Sequence, residues 1–152
     1  GKYAVYVVST HVNSYIGQIP GSKELNIAGV TASDEQAEEG NYAVGVLDND
    51  YMTRWAAMYD AWLTVELEEP TEIYALGLSW YLGDQRSYIY DVEISMDGEN
   101  WTQVYSGLSS GTTKDIESIL LGNQKAKYVR YQGHGHSTGD WNNLSTVRVY
   151  GK

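Results

Sequence analysis

Cysteine is absent from this chain of 152 residues. The sequence therefore has no disulfide framework and no thiolate that could bind zinc or attack a substrate. It also lacks any apolar run near the roughly 20 residues that a membrane-spanning helix needs. A chain of this length can bury one hydrophobic core without cross-links, so we expect a single domain, and secretion is compatible with the missing cysteines.

Positive charge is scarce, with 10 Lys and Arg against 20 Asp and Glu, which gives a formal net charge of -10. Long-range repulsion opposes binding to nucleic acid or to an anionic membrane, so we expect neither partner. Phenylalanine is missing as well, whereas 14 Tyr and 5 Trp are present. These side chains combine an apolar ring with a polar group. They suit ligand platforms, although most of the Tyr are expected to replace Phe in the core.

Helical periodicity is also lacking, because most apolar residues alternate with polar ones as in half-buried β-strands. Strands are predicted at residues 28–33, 63–67, 73–81, 90–94, 101–105, 127–131 and 147–149. Turns are predicted between them at Asp60, Glu69-Pro70, Gly83-Asp84, Asp97-Gly98, Gly111 and Gly122-Asn123. Many short strands at this spacing predict an all-β fold, either a β-sandwich or a barrel.

Residues 1–24 are predicted to be an N-terminal extension that precedes the main domain at 25–152. Within it, residues 2–9 have the pattern of an added strand. Residues 13–22 contain two Gly and one Pro and have the composition of a loop or linker.

Residues 48–53 form a segment rich in hard oxygen donors. Asp48, Asp50 and Thr53 supply two carboxylates and a hydroxyl, the ligand types that calcium prefers. The segment has no His or Cys, which disfavours zinc and copper. The alternative is a plain turn in which the two Asp side chains cap nearby amides. The spacing alone leaves both interpretations open.

Two polar, glycine-containing turns are candidate ligand-binding loops. Arg86 carries a rigid fork of donors that can hold a carboxylate or paired hydroxyls. Its alternative role is an exposed loop charge or a partner of Asp84 or Asp91. In the second turn, His134 and His136 can donate to sugar hydroxyls or to a carboxylate.

Residues 141–143 add a stacking ring and two amides, a combination suited to a sugar. Trp141 has core packing as its alternative role, whereas Asn142 and Asn143 both donate and accept hydrogen bonds. Alternation along the preceding strand places Trp80 inward and leaves Tyr81 as a candidate contact. Trp55 and Trp62 are predicted to lie in the core.

No residue set indicates a catalytic centre, so the chain is predicted not to be an enzyme. Glu66 and Glu68 could be a carboxylate pair, but alternation places both on a solvent face of one strand. A lyase pair of Tyr81 and His134 is the less favoured alternative. Lyases built on a jelly roll instead place their catalytic residues in a long groove on a larger sheet.

An ordered set of motifs covers most of the chain, from about residue 25 to 151. It consists of residues 30–33, the A-x-x-x-L-D-x-D-x-x-T-R-W pattern at 43–55, and residues 62–67, 83–86, 90–95, 97–101, 126–131 and 133–135. In this order the motifs resemble the discoidin, or coagulation-factor type C, superfamily. The bacterial family-32 carbohydrate-binding modules are the most similar branch, and the missing cysteines agree with that branch.

The resemblance implies an eight-stranded antiparallel β-sandwich, or jelly roll. It also implies a non-catalytic, monomeric module that binds a polysaccharide or oligosaccharide. Such a module would be secreted by a bacterium and joined covalently to a catalytic domain in a larger enzyme. An adhesion or interaction domain of the same superfamily is an alternative, and Leu82 with Tyr81 is its candidate apolar contact with lipid.

A structural Ca²⁺ ion is a further implication of the resemblance. The predicted metal residues are Gly45, Asp48, Asp50, Thr53 and Thr146, with Gly45 and Thr53 contributing carbonyl oxygens. The family usually supplies a Glu where this chain has Thr146, so weaker binding is expected here. The metal would fasten the loop to a strand and would not activate water.

The Gly-Asp-x-Arg and Gly-His-Gly motifs are similar to those of modules attached to alginate lyases. This similarity implies an acidic, uronate-containing polysaccharide, with a neutral galactose-type glycan as the alternative. Two departures are Leu82, where Lys is common, and His136, where Asn is common. The predicted ligand-binding residues are Tyr81, Asp84, Arg86, His134, His136, Trp141, Asn142 and Asn143.

Overall fold

The computed structural model describes residues 5–7, 22–50 and 52–152. Its strands are β1 (Val5–Val7), β2 (Lys23–Glu24), β3 (Ile27–Ala32), β4 (Trp55–Met58), β5 (Trp62–Trp80), β6 (Tyr88–Ser95), β7 (Thr102–Leu108), β8 (Glu117–His136) and β9 (Trp141–Gly151). Two short 3₁₀ helices, Ala37–Glu39 and Ala43–Leu47, precede β4. Within the described ranges there is no α-helix, and neither 3₁₀ helix could span a membrane.

Every strand pair is antiparallel, in the order β2-β9-β5-β8-β6-β7, with β1 beside β8, β3 beside β5 and β4 beside β9. The first part of β5 pairs with β3, and its last part pairs with β9. Strand β8 pairs with β5 along both parts. The predicted antiparallel β-sandwich is thus confirmed. β2 also pairs with the last residues of β9, which joins the two ends of the domain.

Two of the predicted turns, at Glu69-Pro70 and Gly122-Asn123, are wrong because both lie inside strands. The register between β5 and β8 shifts at these points, so the strands bulge instead of ending. Proline cannot donate to a ladder, and Gly122 has φ 67°, which makes both residues suitable for a bulge. The segments predicted at 63–67 and 73–81 are therefore one long strand.

The other local predictions had mixed outcomes. The turn at Asp97-Gly98 does join an antiparallel hairpin of β6 and β7. Strand β4 has the sequence Trp-Ala-Ala-Met, which lacks polar alternation, and it was not predicted. Val5–Val7 lies within the added strand predicted at 2–9 and pairs with β8. The rest of that segment, and residues 13–21, lie outside the described residues.

Tyrosine and tryptophan take the place of phenylalanine in the core, as expected. Trp55, Trp80 and Tyr90 are fully buried, and the Trp80 indole N–H donates to the Tyr131 hydroxyl at 2.9 Å. The rings of Tyr90 and Tyr131 stack with their centroids 4.9 Å apart. These rings belong to the larger of two hydrophobic clusters in the described residues, and Ala75, Ile116 and Tyr150 form the smaller one.

Trp62 does not join this core, contrary to prediction. Its half-buried ring lies against the Arg130 guanidinium, whose Cζ is 3.9 Å from the Trp62 ring and 3.8 Å from the Trp101 ring. Arg130 Nε also donates to Thr64 Oγ1 at 2.9 Å. One arginine of β8 thus contacts β5 and Trp101, the residue before β7, through two cation–π contacts and a hydrogen bond.

We predict that Arg130→Ala lowers the free energy of unfolding by about 1–3 kcal/mol, because it removes both cation–π contacts. Urea denaturation monitored by tryptophan fluorescence would measure the change. Lys125→Ala, which removes an exposed cation from the same strand, is the control and should cost less than about 0.5 kcal/mol. Equal costs for the two variants would contradict the prediction.

Candidate functional site

The turn between β5 and β6 has a backbone that is held in an unusual shape. Leu82 has φ 54°, a left-handed conformation that is costly for a residue other than glycine. A Cβ on Gly83 would lie 2.5 Å from the Thr113 carbonyl oxygen, so no larger residue fits there. Packing against the 109–115 loop therefore fixes the direction in which Tyr81 and Arg86 leave the turn.

The Tyr81 ring lies near two guanidinium groups. Arg54 Cζ is 3.9 Å from the ring centroid, and Arg86 Cζ is 5.8 Å from it. Arg54 Nε donates to Asn143 Oδ1 at 3.2 Å, which joins β9 to the cluster. Both arginines and Tyr81 are half-buried. We call Arg54, Tyr81, Arg86 and Asn143 the arginine cluster.

Tyr88 is joined to the arginine cluster by hydrogen bonds of its hydroxyl group. Its hydroxyl donates to the Tyr81 carbonyl at 2.7 Å and accepts from Asn143 Nδ2 at 3.4 Å. Burial raises the pKa of Tyr88 above its ordinary value, against the opposing effect of Arg86, so the hydroxyl stays protonated and able to donate. Its ring is fully buried, and Arg86 Cζ lies 5.7 Å from it.

His136 is a neutral partner of Arg86. Arg86 Nη1 lies 2.7 Å from His136 Nε2, and a guanidinium only donates, so Nε2 accepts. His136 Nδ1 lies 3.2 Å from the Thr138 backbone nitrogen and 3.3 Å from Thr138 Oγ1. Burial and then the Arg86 charge lower the pKa of His136 below its ordinary value. The ring therefore orients Arg86 and adds no positive charge at neutral pH.

His134 is engaged differently, between two carboxylates. Its Nδ1 is 2.8 Å from Asp60 Oδ1, and its Nε2 is 2.9 Å from Asp91 Oδ2. Both nitrogens can donate only in the imidazolium form. Burial lowers the pKa of His134, but the bonds to Asp60 and Asp91 outweigh it and raise the pKa above the ordinary value. Both nitrogens are thus occupied, and no free donor remains for an incoming carboxylate.

Asn142 is fully buried, and its amide binds backbone groups. Oδ1 accepts from the Gly135 N–H at 2.9 Å, while Nδ2 donates to the carbonyls of Ala57 and Tyr59 at 3.0 and 2.7 Å. Gly133 packs so closely on this amide that no Cβ fits. Asn142 therefore holds the site in shape and does not face a ligand.

The structure thus brings together Tyr81, Arg86, His136 and Asn143 of the predicted residues. Trp141, half-buried, lies two residues from Asn143 along β9. Asp84 is exposed and makes no hydrogen bond or ion pair with the described residues. Arg54 and Tyr88 were not predicted as site residues. The scarcity of arginine, four in the whole chain, could have drawn attention to Arg54.

In the predicted cation loop, both Asp side chains accept hydrogen bonds from backbone amides. Asp48 Oδ1 accepts from the Asp50 amide at 3.0 Å, and Asp50 Oδ1 accepts from the Met52 amide at 2.9 Å, as turn caps do. Thr146 Oγ1, however, is buried without a hydrogen-bond partner among the described residues, and buried hydroxyls are normally bonded. Thr146 and Asp48 line one pocket.

The other predicted ligands of the loop also lie close together. A Cβ on Gly45 would be 2.8 Å from Thr53 Cγ2, so these two residues pack against each other. Within the described part of the chain, no three His, Cys, Asp or Glu side chains converge. A cation held here would thus depend on hydroxyl and carbonyl oxygens together with Asp48 and Asp50. That donor set fits calcium.

Comparison with known proteins identifies the family. The model of the F5/8 type C domain matches residues 29–147, most of the chain. The chain belongs to the F5/8 type C domain family. No curated protein sequence matches this F5/8 type C domain at a significant level.

Several solved structures resemble this F5/8 type C domain. The CBM32 of AlyQ, in complex with 4,5-unsaturated mannuronic acid, is 31% identical with a TM-score of 0.80, over 84% of this chain and 97% of that one. A truncated AlyQ with CBM32 and alginate lyase domains is 30% identical with a TM-score of 0.81, over 86% of this chain and 34% of that one. A pectin-binding carbohydrate-binding module is 25% identical with a TM-score of 0.80, over 82% of this chain and 91% of that one.

We predict that the bridge of His134 stabilises this F5/8 type C domain at mildly acidic pH and loses its effect at alkaline pH. Because the folded pKa is raised, the contribution is complete below the unfolded pKa of about 6.5 and disappears as pH rises through the folded pKa. In urea denaturation, His134→Gln should therefore lower the free energy of unfolding most near pH 6 and least near pH 9.

His136→Gln is the matched control for this measurement. Since the pKa of His136 is lowered, the cost of its replacement should be no larger at pH 6 than at pH 9. A pH-independent cost of His134→Gln would show that its contacts with Asp60 and Asp91 are not ionic.

Proposed function

We propose that this F5/8 type C domain is a non-catalytic module that binds an acidic, uronate-containing polysaccharide of the alginate type. The observation that carries the proposal is the arginine cluster, in which two guanidinium groups lie near one half-exposed tyrosine ring. The exposed part of the ring offers a sugar an apolar contact, and the guanidinium groups can hold a carboxylate beside it.

Charge supports this choice of ligand. The chain carries a net charge of -10, yet half of its four arginines lie in this one cluster. Such a local concentration of cations can attract a carboxylate despite the overall repulsion. The relative from AlyQ binds an unsaturated mannuronic acid and another relative binds pectin, which favours a uronate over a neutral glycan.

Side-chain contacts also favour binding without turnover. A lyase pair of Tyr81 and His134 is not formed, since each nitrogen of His134 is held by a carboxylate. His136, the nearer histidine, is a hydrogen-bond acceptor of Arg86. By analogy with the relative that contains an alginate lyase domain, the module would hold a linked enzyme close to its substrate. Even millimolar affinity raises the effective substrate concentration in such an arrangement.

We predict that Arg86→Ala weakens binding of a mannuronate tetrasaccharide by about ten- to a hundredfold, because a charge-assisted hydrogen bond contributes roughly 1.5–3 kcal/mol. Arg86→Lys keeps the charge but loses the fork and should recover only part of the affinity. Isothermal titration calorimetry would give the affinities, and rising salt should lower that of the native chain.

Lys125→Ala is the control, since it removes one cation away from the arginine cluster and should leave the affinity unchanged. Binding that survives both Arg86→Ala and high salt, or a stronger response to galactose than to mannuronate, would favour the neutral-glycan alternative. Release of unsaturated or reducing ends by the isolated domain would overturn the non-catalytic assignment.

We also propose that a structural Ca²⁺ ion binds at the loop of Asp48, Asp50 and Thr53, with carbonyl oxygens from Gly45 and Thr53. The unpartnered hydroxyl of Thr146 and the pocket that it shares with Asp48 support this assignment. The ion would fasten the loop to β9 and supply no chemistry to the ligand site.

We predict that calcium raises the melting temperature. We also predict that Thr146→Val is at least as stable as the native chain in chelator but less stable than the native chain in calcium. In chelator the variant should be at least as stable, because it removes a buried unpaired hydroxyl. In calcium the native chain should be the more stable one, by up to about 2.7 kcal/mol at a hundredfold excess over Kd. Thr146→Glu should strengthen the calcium effect by adding a carboxylate. Identical melting curves with calcium and with chelator would contradict calcium binding at this site.

A further inference from the structure

The arginine cluster lies at one end of a longer face formed by β4 and β9. Side chains on one face of a strand recur at every second residue. Asn143, the partner of Arg54, pairs with Ala56, and Trp141 pairs with Met58. Trp141 and Met58 therefore lie on the same face as Asn143, about 7 Å further along the strands. Neither is buried: Trp141 is half-exposed, and Met58 is 37% exposed.

Tyr59 directly follows Met58, just beyond the end of β4. Its side chain is 63% exposed, although its φ of 62° is a conformation that residues other than glycine rarely adopt. Two hydrogen bonds of 2.7 Å hold it there: its N–H donates to the Asp140 carbonyl, and its carbonyl accepts from Asn142 Nδ2. A strained backbone that is fixed by buried neighbours is typical of ligand clamps.

The turn that holds Tyr59 is the same turn that holds the partner of Arg86. His136 and Gly139 exchange backbone hydrogen bonds, and a Cβ on Gly139 would lie 3.0 Å from His136 Nε2. Asp140, which accepts from Tyr59, is the next residue. Tyr59 and Arg86 are thus positioned on either side of one tight turn, at the same end of the domain.

We propose that Met58, Tyr59 and Trp141 form a second sugar subsite, which binds the unit next to the uronate held by the arginine cluster. This inference rests on the proposed function. The subsite would act by stacking and apolar contact, since these three side chains carry no charge. The neighbouring Asp60 is bound by His134, which offsets its repulsion of an acidic chain.

Affinity as a function of chain length tests the subsite. Isothermal titration calorimetry with mannuronate oligomers of one, two and four units should show affinity rising with length in the native chain. Tyr59→Gly removes the ring and also suits the positive φ, so the fold is kept. The variant should bind the monosaccharide as the native chain does and the tetrasaccharide about three- to tenfold more weakly.

Tyr42→Ala is the matched control, because it removes a 44% exposed ring that lies beside β3 and away from this face. Arg86→Ala should weaken every oligomer alike, which tests the proposed function separately. An unchanged tetrasaccharide affinity in Tyr59→Gly, or an equal loss for all lengths, would overturn the second subsite while leaving the arginine result valid. Flotation with phosphatidylcholine vesicles that depends on Tyr59, without such a loss, would overturn it in favour of a membrane contact.

Discussion

The buried amide of Asn142 is the contact on which the binding end of the molecule depends. It satisfies two carbonyls at the end of β4 and one amide in the bulge of β8, and it leaves none of its own polar atoms unpaired. Loss of this side chain would leave three buried backbone groups without this hydrogen-bond partner, and each unsatisfied group costs about 1–3 kcal/mol. Tyr59 and Gly135 are thus both held by this one side chain.

The same turn shows how hydrogen-bond partners decide the charge of histidine. His134 and His136 are two residues apart, yet one is an imidazolium between carboxylates and the other is neutral beside a guanidinium. These partners are 43 to 74 positions away in the sequence. The Gly-His-Gly-His motif could therefore indicate a functional loop, but not which histidine is positively charged.

Most of the fold follows from local patterns, since alternation and turn residues gave the fold class and most strands. The division of the long strands has one physical cause: Pro70 and Gly122 are as suitable for a β-bulge as for a turn. The site was predicted in part. Arg86, Tyr81 and Asn143 were found from their loops, whereas Arg54, just before β4, and Tyr88, the first residue of β6, reach the site only through tertiary packing. Asn142 was predicted to contact a ligand, but its amide is used within the protein.

The short pair of β2 and the end of β9 determines where a neighbouring domain can attach. Lys23 is opposite Gly151, so the start of β2 and the end of β9 lie at a single place, although β1 earlier in the chain pairs with β8. Strand β9 has 11 residues and begins at the proposed ligand face, so its two ends are about 35 Å apart. A domain joined after β9 would thus lie at the end opposite the proposed ligand face and would leave that face unobstructed.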